Sequence, residues 1–202
     1  MTKMKLCGLF RPCDIDAANE LKPEYIGFVF ARKSRRYVTP EEAAELKKLL
    51  DPDIQAVGVF VNEAAERIAA LLNKGIIDIA QLHGGEDENE INQLRALTDK
   101  PIIKAFCIKK SEDITNAESC LADYILLDSG EGTGTVFDWK KIQNIQRPYF
   151  LAGGLSIDNV ENAVRQLNPY AVDVSSGIET DGLKDKTKMA AFVAAVRKEE
   201  RL

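Results

Sequence analysis

Short apolar runs alternate with longer amphipathic stretches along almost the whole chain. The runs MKLCGL (4–9), YIGFVF (25–30), QAVGVFV (55–61), IDIAQL (77–82), PIIKAF (101–106), YILLD (124–128), YFLAG (149–153) and AVDVSS (171–176) read as strands, many of them rich in Val, Ile or Phe. The stretches between them read as helices. TPEEAAELKKLL (39–50) offers Thr39 as N-cap, Pro40 at the first helical position and glutamates in the first turn. NEAAERIAALLNKG (62–75) is expected to start at an Asn62 cap and to stop at Gly75. DENEINQLRALT (87–98), SEDITNAESCL (111–121), SIDNVENAVRQL (156–167) and LKDKTKMAAFVAAVRKEE (183–200) follow the same style, while CDIDAANEL (13–21) and DWKKIQNI (138–145) are shorter.

Strands separated by helices pair in parallel through right-handed crossovers, and eight such units imply an α/β fold, a closed (β/α)8 TIM barrel formed as one domain by residues 1–202. The rival is an open doubly wound sheet. That fold usually has fewer strands and a glycine-rich first turn, whereas the first turn here holds Gly8 and no G-x-G-x-x-G.

Composition narrows the partners. The chain has 202 residues, 45% hydrophobic, enough for one sizeable core. Net charge is −5 with both signs interspersed and no basic block, so no nucleic-acid partner is expected. No apolar run approaches the roughly 20 residues needed to span a bilayer, and MTKMKLCG has no long apolar leader, so a cytoplasmic protein without membrane contact is expected. Cys7, Cys13, Cys107 and Cys120 are expected as free thiols. With one histidine, His83, and no C-x-x-C, no metal site is expected.

In such a barrel the chemistry gathers at the C-terminal ends of the strands. The first strand ends in Cys7, which reads either as a small buried apolar residue or as a reactive thiol at the barrel mouth. Lys5 is read as alternating to the other strand face. The second strand is followed by FARKSRRYV, whose Arg32, Lys33, Arg35 and Arg36 make an anionic substrate plausible. Asn62 follows the third strand, His83 the fourth, Asp128 ends the sixth, and Asp173 lies in the eighth. AGGLS (152–156) and SSGIE (175–179) supply Gly153, Gly154, Ser175, Ser176 and Gly177, two turns whose backbone N–H groups suit a phosphate. The GEGTG loop (130–134) reads as a mobile cover or as a plain surface loop, and is not a Walker A loop.

In order along the chain, KLCGLFR, GFVFARKSRRYV, VGVFVN, QLHG, IKAF, LLDS, GTGTVFDW, LAGGL, VDVSSGIE and GLKD resemble the motifs of the phosphoribosylanthranilate isomerases of tryptophan biosynthesis, from residue 5 to residue 185. The resemblance implies an Amadori rearrangement of N-(5-phosphoribosyl)anthranilate to 1-(2-carboxyphenylamino)-1-deoxyribulose 5-phosphate, with no cofactor and no metal. It implies Cys7 as general base, Asp128 as general acid, and Arg36 as holder of the anthranilate carboxylate; to donate a proton, Asp128 is expected to have its pKa raised by apolar walls and substrate anions. His83 and Asp173 then line the pocket, and the AGGL and SSG turns take the phosphate. The sequence departs from the family pattern at Phe10, where a small residue is usual, and at Arg35, where Pro is common. Both departures bear on loop geometry.

Two alternatives remain. The histidine-pathway aminoaldose isomerase performs the same rearrangement, but resembles an aspartate-first barrel with a second phosphate site, and Cys7 stands against it. A non-catalytic barrel that only binds phosphorylated ligands is the other. A monomer is expected in preference to a dimer.

Overall fold

The computed structural model describes residues 2–128, 142 and 145–198. The GEGTG loop and most of DWKKIQNI lie outside them. Eight parallel strands close into a barrel in chain order: β1 (Lys3–Cys7), β2 (Tyr25–Val29), β3 (Gln55–Phe60), β4 (Ile79–Leu82), β5 (Ile102–Cys107), β6 (Tyr124–Asp128), β7 (Tyr149–Ala152) and β8 (Ala171–Val174). Pairing of β1 with β8, Lys5 opposite Asp173, completes the ring. Among the described residues the outer layer comprises α1 (Pro12–Leu21), α2 (Pro40–Leu49), α3 (Ala65–Asn73), α4 (Glu88–Arg95), α5 (Ser111–Ser119), α6 (Val160–Leu167) and α7 (Lys186–Lys198). None of these helices is long and apolar enough to cross a membrane.

The strands are apolar on both faces because both faces are covered. Met4, Leu6, Ile26, Phe28, Leu127 and Val172 pack outward against helix residues such as Ile15, Ile68 and Phe192. Tyr25, Val57, Ile103, Leu126 and Phe150 alternate with them and fill the barrel. At the lower end Lys3 Nζ donates to the Tyr170 hydroxyl (2.8 Å), which stacks with Tyr124. The interior is therefore plugged from below and opens at the C-terminal ends of the strands.

The helix boundaries follow local chemistry. Thr39 caps α2 as expected, its hydroxyl accepting from the Glu42 N–H (3.2 Å) while the Glu42 carboxylate accepts from the Thr39 N–H (2.8 Å). Gly75, at φ +69, follows α3 in the left-handed region. Asn62 does not cap α3, which begins at Ala65. Its backbone is left-handed (φ 50), its N–H donates to Glu86 (2.7 Å), and its Oδ1 accepts from the Gly85 N–H (2.8 Å). The asparagine serves the β3 and β4 loops instead of the helix. Glu86 is itself buried against Lys104 (2.7 Å) on β5.

Two later helices start after the residues their periodicity suggests. Before α6, the Asn159 side chain accepts from the Ser156 N–H and donates to the Gly154 carbonyl, both at 2.9 Å, so the chain stays in a turn until Val160. Before α7, Glu179–Thr180 (β9) and Leu183–Lys184 (β10) form a small antiparallel hairpin, and Asp185 then accepts from the N–H groups of Thr187 and Lys188.

Candidate active site

Most residues singled out by strand-end reasoning line one cleft of about 380 Å3 at the barrel mouth. Its wall carries Cys7, Arg36, His83, Asp128, Gly153, Gly154, Asp173, Ser175 and Ser176. Val29, Ala31, Val59 and Val61 add an apolar side. Gly177 is not part of the wall. It stands behind it, where a Cβ would overlap the Leu155 carbonyl oxygen.

Cys7 ends β1, paired with Gly27 of β2, and is nearly buried. Lys5 lies two residues earlier, and a period of two puts it on the same face of the strand. The reading that Lys5 turns to the other face is thus corrected: it is fully buried, and its Nζ donates to Asp173 at 2.9 Å. Burial works against the Lys5 charge, but Asp173 and Cys7 outweigh it, and its pKa ends above the ordinary lysine value. Burial pushes the Cys7 thiol up, the Lys5 ammonium pulls it down, and the Asp173 carboxylate adds to the rise. The second Asp173 oxygen is buried with no protein partner among the described residues.

Asp128 ends β6, three strand positions from β1 around the ring, so it reaches the cleft from a different side than Cys7. His83 Nε2 lies 3.5 Å from Asp128 Oδ2, and His83 Nδ1 lies 2.7 Å from Gln81 Nε2. Where the Gln81 amide nitrogen donates, Nδ1 accepts and the neutral ring carries its proton toward Asp128.

Of the basic run, Arg36 alone lines the cleft. Gly8, at φ +78, makes room for it, because a Cβ there would overlap the Arg36 Cδ. Arg35 and Arg36 both bind Glu179, through contacts of 2.5 and 2.6 Å. Arg35, one of the departures from the resemblance, thus has a partner of its own. Phe10, the other, packs half-buried against the core with the Arg11 guanidinium over its ring.

The two turns expected to take phosphate meet on one wall. Gly153 and Gly154 have φ of +88 and +65, and Ser176–Ile178 forms a single 3-10 turn. Ser175 donates to the Cys7 carbonyl (3.1 Å) and lies against Lys184 Nζ (3.2 Å).

The family model for N-(5'-phosphoribosyl)anthranilate (PRA) isomerase matches residues 4–195. The chain belongs to the phosphoribosylanthranilate isomerase family. It is 43% identical to the N-(5'-phosphoribosyl)anthranilate isomerase of Endomicrobium trichonymphae, covering 98% of this chain and 99% of that one. The crystal structure of phosphoribosyl anthranilate isomerase from Thermotoga maritima superimposes with a TM-score of 0.90 at 33% identity, covering 98% and 100% of the two chains. A phosphoribosyl anthranilate isomerase solved with reduced 1-(o-carboxyphenylamino)-1-deoxyribulose 5-phosphate gives 0.88 at 33% identity, with the same coverage.

Beside the family's motifs, four polar residues of this isomerase fold escape a reading of strand ends. Gln81, buried on β4, shares its face with His83, and that parity was its only signal. Lys5 is hidden inside an apolar run, and its signal is the two-residue spacing to Cys7. Glu179 and Lys184 lie in a stretch read as turn and helix start, and nothing in the sequence marks them as partners.

Proposed function

We propose that this chain catalyses the Amadori rearrangement of N-(5-phosphoribosyl)anthranilate by general acid and base catalysis, with Asp128 as acid and Cys7 as base. The single observation carrying this reading is the joint presence of Cys7, Asp128, Arg36 and the two glycine and serine turns on one cleft wall. The reduced product found in a solved family member supports the same class of ligand here.

In this reading the protonated Asp128 gives its proton to the furanose ring oxygen. The C1'–O bond breaks, and the nitrogen lone pair forms the C1'=N iminium. The Cys7 thiolate takes the C2' proton, the electrons of that C–H bond form the C1'=C2' bond, and the C1'=N π pair returns to nitrogen to give the enolamine. Loss of the enol proton and protonation at C1' give the ketone. One proton is given and one is taken, so no redox partner is required. Arg36 takes the anthranilate carboxylate, and the ring lies on the apolar side of the cleft. The phosphate is read as bound by the Gly153–Gly154 and Ser175–Ser176 turns, a common arrangement after the last two strands of such barrels. His83 and Asp173 border the sugar. Free Cys7, Cys13, Cys107 and Cys120 fit a reducing, cytoplasmic setting.

The test is the fluorescence decay of freshly made phosphoribosylanthranilate with wild type, Cys7→Ser and Asp128→Asn. Fast decay with wild type and a loss of about 100-fold or more in each folded variant is expected. Turnover that survives Cys7→Ser would return that cysteine to core packing. No turnover by folded wild type would leave a phosphate-binding barrel.

A further inference from the structure

Arg36 is held in a way that the reaction scheme leaves unexplained. A guanidinium offers five N–H donors in a rigid plane. Two of these donors, both on one edge, are already engaged, since Nε donates to Glu179 Oε1 (2.6 Å) and Nη2 to Glu179 Oε2 (2.9 Å). This fork fixes the plane of the guanidinium and leaves Nη1 and the outer proton of Nη2 to meet a ligand. The carboxylate that does the holding is not a loose surface group. Glu179 is buried, and it also accepts from Arg35 Nη2 (2.5 Å) and Lys184 Nζ (2.7 Å).

The contacts continue toward the other end of the cleft. Lys184 Nζ donates to the Ser175 carbonyl (2.8 Å) and reaches its hydroxyl, so one ammonium joins Glu179 to the proposed phosphate turn. The β9–β10 hairpin sets Lys184 directly opposite Glu179. Three cations around one anion leave a surplus of positive charge beside a cleft read as taking two anionic groups. A ligand carboxylate does not need to displace Glu179 to use Arg36, because the edge it would take is a different one.

We propose that Glu179 is a positioning residue for the substrate's carboxylate: by gripping Nε and Nη2 of Arg36 it presents the remaining edge of that guanidinium to the anthranilate carboxylate. The inference rests on the reading that the cleft takes phosphoribosylanthranilate. It assigns Glu179 no contact with the reacting atoms. Its effect belongs to recognition of one substituent, which separates it from a residue that merely supports the fold.

The experiment compares wild type, Glu179→Gln, Arg36→Ala and the double variant on two substrates: phosphoribosylanthranilate and N-(5-phosphoribosyl)aniline, which lacks the carboxylate. Circular dichroism and melting confirm folding. With the carboxylated substrate, Glu179→Gln is expected to raise KM about tenfold with kcat changed far less. With the aniline, its loss shrinks to roughly twofold or less, and adding it to Arg36→Ala costs little more than Arg36→Ala alone. Equal losses of kcat/KM on both substrates would overturn the inference in favour of a purely structural role. No loss on either would overturn it by showing that Arg36 orients itself. Turnover of neither substrate by wild type is a distinct result, which overturns the isomerase reading and removes this inference with it. If Glu179→Gln does not fold, Glu179→Asp, which keeps the charge but shortens the reach to Arg36, carries the same comparison: a loss confined to the carboxylated substrate supports the inference, and an equal loss on both overturns it.

Discussion

Gly27 stands directly across the β1–β2 ladder from Cys7, and a Cβ at Gly27 would lie 2.7 Å from the Cys7 sulfur and 3.1 Å from its Cα. The first is closer than real side chains approach, and the second is a tight contact against backbone that cannot swing aside. Gly27→Ala is therefore expected to displace the thiol. Overpacking of this kind costs about 1–3 kcal/mol of stability. A misplaced base costs up to about 100-fold in turnover. Urea titration and steady-state kinetics read the two effects, and a variant with native stability and native kcat would show that the thiol position is not constrained by β2.

Lys5 and Asp173 form a buried pair, so removing one partner strands the other. Lys5→Met is expected to lower stability by about 3–5 kcal/mol. Lys5→Met with Asp173→Asn should recover much of that loss. The same substitution removes the cation that draws the Cys7 thiol down, so the thiol pKa rises further. A thiolate base gains activity as pH rises through its pKa, so that limb of the kcat/KM profile should move to higher pH in Lys5→Met. A limb that stays where it is in wild type would separate Lys5 from the base.

Gly177 touches no ligand in the proposed scheme, but it lets the two turns proposed to take phosphate come together. A side chain there would meet Leu155 and the Ser156 Cα, the latter at 3.1 Å. Gly177→Ala should push the β7 turn away from the β8 turn. KM is expected to rise about tenfold with kcat held within a few-fold. Competitive inhibition by inorganic phosphate should weaken in parallel, and inhibition that is unchanged would put the phosphate elsewhere.

Burial alone would raise the Glu179 carboxyl, but hydrogen bonds from Arg36 and Lys184 and their charges hold it down to about 2. An unfolded glutamate titrates near pH ~4.3. A depressed folded pKa gives stability that is complete above the unfolded value and fades as pH falls toward the folded one. Wild type should thus lose this contribution between about pH 4.5 and 2, while Glu179→Gln has none to lose. Urea midpoints of the two proteins should converge across that window. A constant gap would mean that the pairing does not depend on the charge of Glu179.

The barrel was legible because its strands are continuous apolar runs set at βα spacing, and because covering both strand faces leaves no other use for them. Cys7, Asp128 and His83 were legible for a related reason: each is the polar residue that interrupts an apolar run at its C-terminal end. Contacts between distant loops carry no such mark. Asn62 looks like a helix cap by local spacing, yet the Glu86 carboxylate, 24 residues on, claims its N–H. Glu179 opens the two-residue strand β9, and its meaning comes from Arg36, 143 residues earlier. Parity within a strand is a local signal, and Lys5 and Gln81 could have been found by applying it to polar residues as strictly as to apolar ones.

The pairing of Lys5 with Asp173 joins residues 168 positions apart. An ammonium without its counter-charge resists leaving water. A chain that ends before Asp173 has nothing with which to neutralise Lys5 inside the ring, and its first strand is held back from burial. The last strand supplies the missing charge, the eighth set of ladder bonds and the Ser175 hydroxyl for the Cys7 carbonyl together. Closing the ring and completing the wall around the thiol are thus one event: without β8 and the turn after it, the ring stays open and the cleft lacks Asp173, Ser175 and Ser176 together.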